Sequence, residues 1–255
     1  MRKLGVCVVL GSMFCAVACG AQRDGVSYVN PRIGTQRSAI GYGGTMPFVA
    51  APFGMTDWTA QTRQNKISVT SYNYADPTIS GFIGTHQPAI WMGDYGYVTL
   101  MPEVGELQVK PEDRQLLFKH GDEVSRPDYY AVNLDAQAAG VIRVEMTASE
   151  RCSMMRYRFP AKGTARVLVE ASRPGIEGFA AVDLKAHEIT GYNPHRMDAH
   201  LGPFKLPHFK GYFVVQFREV PLEEKTYGME SAAADASRGA YAEFAPGETV
   251  EVRVG

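Results

Sequence analysis

The sequence predicts an all-β chain, a large antiparallel β-sandwich with long ordered loops and few short helices. Past residue 125 the apolar residues alternate with period two. Short turn-forming segments separate several of the alternating runs, and helical signals are weak throughout. In Val141 to Ala148, Ile142, Val144 and Met146 point one way while Arg143 and Glu145 point the other. In Ser153 to Phe159, Met155, Tyr157 and Phe159 oppose Arg156 and Arg158. In Thr249 to Val254, Val250, Val252 and Val254 oppose Glu251 and Arg253. Each pattern describes a strand with one buried and one wet face. Tyr129 to Leu134, Ala165 to Val169, Tyr212 to Phe217 and Ala240 to Phe244 add further strands. Pro160 to Gly163, Arg238-Gly239 and Pro246-Gly247 supply turns. Glu230 to Ser237 is Ala-rich but has no apolar stripe, and reads as a surface connection.

The region from Val26 to Gly96 differs. It is rich in Gly, Pro, Thr and aromatics, with Ile67 to Tyr74 and Tyr95 to Met101 as its best strand candidates. Ordered loops of this length either build a site or cover a sheet edge. The densest stretch, Gly81 to Gly96, sets His86, Trp91, Asp94 and Tyr95 between glycines and a proline, which favours a sharply bent loop. A ring to cover the C–H face of a sugar and a carboxylate to accept from its hydroxyls suit a polyol. The same residues also suit a buried corner, with Trp91 as a core ring and Asp94 capping a turn.

Length and composition bound the rest. The 255 residues suffice for one large domain or two small ones. Hydrophobic residues make up 45% and charged residues 21%, ordinary for a globular protein. A net charge of −1, with scattered Lys and Arg, argues against nucleic acid as a partner. Arg2, Lys3 and the apolar run Leu4 to Val17 form an export signal over residues 1–18, too short for a membrane span. Ala16-Val-Ala-Cys19 resembles a bacterial lipoprotein signal, in which Cys19 carries lipid; an ordinary cleaved signal is the alternative. Residues 19–27 read as a linker. Of the four cysteines, only Cys152 then remains, and its strand context predicts a buried, inert thiol.

Several motifs are absent: no phosphate loop, no His-Glu-x-x-His pair and no Gly-x-Ser-x-Gly turn. Gly41-Tyr-Gly-Gly44 is followed by no helical pattern and reads as a turn. His195, Asp198 and His200 sit close enough in sequence for metal ligation, but such clusters are more often polar connections. His187 and His208 are solitary. Glu103, Glu106, Glu112 and Asp113 lie in polar connecting segments and read as solvated surface charge.

Blocks in order make the chain recognisable. They are Tyr28-Val-Asn-Pro-Arg-Ile-Gly-Thr35, Gly44-Thr-Met-Pro47, Ala51-Pro-Phe-Gly-Met55, Gly81-Phe-Ile-Gly-Thr-His-Gln-Pro88 and Trp91-Met-Gly-Asp-Tyr-Gly96. Arg126-Pro-Asp-Tyr-Tyr130, Thr147-Ala-Ser-Glu-Arg151 and Arg156-Tyr-Arg-Phe159 continue the series. Over residues 26 to 255 the chain resembles the amino-terminal domain of glycoside hydrolase family 92, exported bacterial exo-acting α-mannosidases. The resemblance implies a β-sandwich over residues 28–255, followed in the family by an (α/α) catalytic barrel that this chain lacks. It implies α-mannoside glycans as substrate, that barrel as partner, and calcium as cofactor of the full-length enzyme. It implies export to the periplasm or cell surface, with a lipid anchor at the outer membrane. No residue here matches the family's catalytic acid, base or metal ligands. What carries over is a share of the sugar pocket: Trp91 and Asp94 as contacts, with His86 shaping the loop. Arg32 stands where the family's opening motif more often has an aromatic, and is expected to pair with an acid on the sugar-binding rim. A free-standing carbohydrate-binding surface lipoprotein and an inactive truncated product are the alternatives.

Overall fold

The computed structural model describes residues 25–36, 44–64, 69–86, 94–173, 175–197, 207–233 and 236–255. The strands in chain order begin with β1 (Asp57–Gln61), β2 (Thr78–Ile79), β3 (Gly81–Thr85), β4 (Val98–Val104), β5 (Leu116–Phe118) and β6 (Val124–Arg126). They continue with β7 (Tyr129–Asp135), β8 (Val141–Ala148), β9 (Ser153–Arg158), β10 (Ala165–Glu170), β11 (Phe179–Asp183) and β12 (Glu188–Asn193). The last four are β13 (Gly211–Phe217), β14 (Glu223–Tyr227), β15 (Gly239–Phe244) and β16 (Thr249–Val254). Among the described residues, helix is confined to one turn, α1 (Pro111–Arg114), and short 3-10 turns.

Two sheets form. The smaller runs β1-β3-β4-β10-β15-β14, and the larger runs β11-β12-β13-β16-β9-β8-β7-β5-β2, with β6 on β7. Neighbouring strands pair antiparallel, so each alternating run presents its apolar set to the opposite sheet. Val144, Tyr157 and Val252 of the large sheet and Trp58, Phe82, Leu100 and Leu168 of the small one share one core. The alternation in β8, β9 and β16 is the alternation in the sequence, inner residues buried and outer ones wet.

The small sheet is buried on both faces at β1, β3 and β4 and opens to solvent at its β14 edge. All five residues of β3 are buried, with Phe82 in the main core. Ile83 faces a second cluster with Tyr97 and Ile176, against which Met197 packs. The segments around Tyr97, Ile176 and Met197 thus cover the outer face of the small sheet at β3, which explains why β3 shows no alternation.

Four expectations are corrected. Gly81 to Thr85 is a strand rather than part of a bent loop. Its glycines answer to neighbours: a Cβ on Gly84 would lie 2.7 Å from the Trp58 ring. Residues 70–74 carry no strand, because their polar groups are spent on loops: Asn73 N on Thr62 Oγ1 and Tyr74 N on Thr35 O. Cys152 is exposed, since it sits in the β8–β9 turn, where Ser149 N donates to its carbonyl at 2.8 Å. Glu103 is buried on β4 rather than solvated, and burial pushes its carboxyl up to about 7.

Candidate functional site

The site is built on the Trp58–Gly84 contact between β1 and β3. Directly after β3 the chain leaves the sheet at His86. Its Nδ1 lies 3.2 Å from the Tyr95 carbonyl, which can only accept, so the N–H is on Nδ1. Nε2 is then the acceptor for the Thr56 hydroxyl at 3.3 Å. The imidazole stacks on the Tyr95 ring, with centroids 5.3 Å apart, and Tyr95 meets the edge of Phe209.

Two glycines let this arrangement close. Gly96 has φ +58°, and a Cβ there would stand 3.3 Å from the His86 ring. A Cβ on Gly211 would lie only 2.2 Å from Gly96 Cα, so the β13 backbone passes against the turn before β4. Together they bring Tyr212 of β13 beside His86.

Between them lies a cavity of about 180 Å³, lined by Met55, Thr56, Trp58, His86, Arg151 and Tyr212 among others. Arg151 Nε donates to Met55 Sδ at 3.3 Å. No described Asp or Glu lines this cavity. A larger cavity of about 610 Å³ lies against the β8–β9 turn, between Met154, Val214 and Gly255. Its walls are chiefly apolar. The smaller cavity is the better candidate because an imidazole, a guanidinium, a hydroxyl and a phenol converge on it.

Asp94 stands behind this cavity, not in it. It is 1% exposed. Its Oδ1 accepts from Thr85 Oγ1 and, at 2.9 Å, from Tyr95 N. Arg173 Nη2 reaches its Oδ2 at 2.6 Å, and the Arg173 guanidinium lies 3.7 Å from the Tyr97 ring centroid. The Asp94 carbonyl accepts from Met197 N at 2.8 Å. A carboxylate so engaged is a strut that fixes the 94–97 turn. Trp91 and Cys19 lie outside the described residues. Arg32 does pair with an acid, Glu123 at 3.6 Å. That acid is buried among Tyr72, Tyr130 and His120 and does not line the cavity.

The structure adds residues that the sequence reading left out. Arg151 and Tyr212 reach the cavity through tertiary packing, and neither carries a local signal. Asp57 precedes Trp58 on β1, is half-buried and has its carboxyl raised by burial, an effect that nearby His86 opposes. His195 is buried, with Nδ1 accepting from Glu177 N at 3.3 Å; Asp198 and His200 lie outside the described residues. Among the described residues no group of three His, Cys, Asp or Glu side chains is placed to hold a metal ion.

The comparisons with known proteins agree with this architecture. The chain is similar to a family GH92 inverting mannosidase from Bacteroides thetaiotaomicron at 30% identity and TM-score 0.77, covering 90% of this chain and 31% of that one. It shares its fold with a second family GH92 α-mannosidase of that organism, at 23% identity and TM-score 0.68, covering 90% of this chain and 33% of that one. The latter has also been solved with mannoimidazole. The chain therefore spans about a third of the length of these relatives. No curated protein gives a significant match. The sequence profile described as the glycosyl hydrolase family 92 N-terminal domain matches residues 28–255. The chain thus belongs to glycosyl hydrolase family 92, of which these residues are the N-terminal domain.

Proposed function

We propose that this domain supplies one wall of the mannose pocket of an inverting α-mannosidase and none of its proton-transfer groups. The observation that carries the reading is the His86 cavity, which four polar side chains line together with Trp58. Inversion needs a carboxylic acid to protonate the leaving oxygen and a carboxylate to activate water on the opposite face. The described lining offers neither. On this reading the pair comes from the two-thirds of the relatives' length that the chain does not span. The work of this chain is to bind and orient. His86, both of whose ring nitrogens are engaged by Tyr95 and Thr56, fixes the Thr56 hydroxyl, whose oxygen can still accept. That oxygen, the Tyr212 phenol and the Arg151 guanidinium offer hydrogen-bonding atoms to sugar hydroxyls. The Tyr212 ring covers the C–H face. The Asp94–Arg173 strut keeps the turn rigid, so that little ordering entropy is lost on binding.

Calcium, implied by the family resemblance, calls for several oxygen ligands with carboxylates among them. The described lining does not fit it, and no step is routed through it here. Export and a lipid on Cys19 belong to the same reading; the Cys19→Ser variant is expected to lose palmitate incorporation in a bacterial host, and full labelling of that variant would exclude the anchor.

Titration calorimetry of the 255-residue chain with methyl α-mannoside tests the proposal. The expected result is millimolar binding, weakened about tenfold in His86→Ala, because the Thr56 hydroxyl loses the partner that fixes it and one well-placed hydrogen bond to the sugar is lost with it. No hydrolysis is expected in calcium buffer. Turnover by the isolated chain, or unchanged binding in a folded His86→Ala protein, would overturn it.

A further inference from the structure

Tyr212 lines the cavity and also stands on the exposed outer face of β13. The residues opposite it in register continue a row of aromatic side chains across the outer face of the large sheet: Tyr212 on β13 pairs with Tyr192 on β12, and Tyr192 pairs with Phe179 on β11. The Tyr212 and Tyr192 ring centroids are 5.8 Å apart at 60°, and those of Tyr192 and Phe179 are 5.3 Å apart at 24°. The row ends at β11, the edge strand of the sheet.

Cross-strand packing alone would explain rings that touch. It does not explain why both ends of the row stay open to solvent while Tyr192 between them is half-buried. Tyr212 is 71% exposed and Phe179 44% exposed, on a face whose other outward residues are largely polar or charged. The hydroxyls of Tyr192 and Tyr212 make no hydrogen bond among the described residues. Lys210 holds its ammonium 4.0 Å from the Tyr192 ring centroid. An apolar strip edged by phenol hydroxyls and an ammonium suits a ligand with C–H faces and hydroxyls in alternation. A pyranose chain has that chemistry, and an apolar peptide does not use the donors.

We propose that the Tyr212–Tyr192–Phe179 row is a track for the sugar units behind the terminal mannose, so that the domain grips the body of an oligosaccharide as well as its tip. The inference rests on reading the His86 cavity as part of the mannose pocket, since continuity with that cavity gives the track its direction. Tyr192 and Phe179 line no part of the cavity, so the two claims can fail separately.

The test compares methyl α-mannoside with a linear α-mannotriose as ligands of the 255-residue chain. The trisaccharide is expected to bind roughly fivefold tighter, the effect of one further ring contact. Tyr192→Ala and Phe179→Ser should abolish that gain and leave monosaccharide affinity unchanged. Amide shifts of residues 179 and 192 in the wild-type protein should move with the trisaccharide alone, a readout that does not depend on a variant folding. Equal affinity for the two ligands, or a gain that survives in the folded variants, overturns the track. Binding of the trisaccharide through residues 179 and 192 with no response at His86 overturns the pocket and leaves the track standing. Silence with both ligands overturns both.

Discussion

Asp94 and Glu103 show how far a carboxylate's role depends on what folds against it. Asp94 is buried with Arg173 at 2.6 Å, and Thr85 and the Tyr95 amide take its other oxygen. Removing its charge leaves Arg173 buried without its anion, the costly half of a broken buried pair. Asp94→Asn is expected to lower the unfolding free energy by about 3 kcal/mol, read from urea denaturation. A loss below a fifth of that would show that the pair does not brace the turn. Glu103 is buried with Oε1 lacking a partner among the described residues, and Oε2 accepts from Gln108 N at 3.1 Å. Burial raises its carboxyl from the ordinary 4.5 to about 7, against the lowering effect of Arg114 and Arg166. The folded state therefore holds this proton more tightly than the unfolded chain does. The stabilisation is complete below about pH 4.5 and is lost as pH rises through about 7. Glu103→Gln should raise the melting temperature at pH 8 and leave it nearly unchanged at pH 5. An equal shift at both pH values would contradict the assignment.

At the scale of elements, the strands that alternate were legible and those buried on both faces were not. β8 and β16 span the ranges that the alternation predicts, and β7, β9, β10, β13 and β15 differ from it by a residue or so at an end. β3 was hidden because the loop layer covers its second face, so Gly81-Phe-Ile-Gly-Thr85 carries no period at all. β11 and β12 lay in a segment with no turn signal strong enough to frame them. The site depends on contacts between elements: Gly96 and Gly211 lie far apart in sequence and touch through their backbones. Gly211→Ala forces that contact open and is expected to cost about 2 kcal/mol of stability. It should also abolish mannoside binding, because Tyr212 moves away from His86. Wild-type affinity in this variant would mean that the cavity does not need the contact.

At the scale of the molecule, the β-sandwich and the family were both legible, the first from alternation and the second from ordered motif blocks. Among the described residues of the cavity lining, His86 is the one that the sequence reading named, as the residue that shapes the loop. Arg151 and Tyr212 arrive from the β8–β9 turn and from β13, which no local pattern connects to the loop. The sequence also could not reveal that the Asp94 charge is spent inside the protein, because Arg173 is distant in the chain. On the proposed reading, the molecule presents a wall of rings and hydrogen-bonding atoms to the sugar. The most direct measurement is residue-resolved NMR of the 255-residue chain titrated with methyl α-mannoside, with the same sample assayed for released methanol. Saturable shifts centred on residues 86, 96 and 212, with no methanol formed, are the predicted result. Shifts centred elsewhere, or methanol formed, would contradict it.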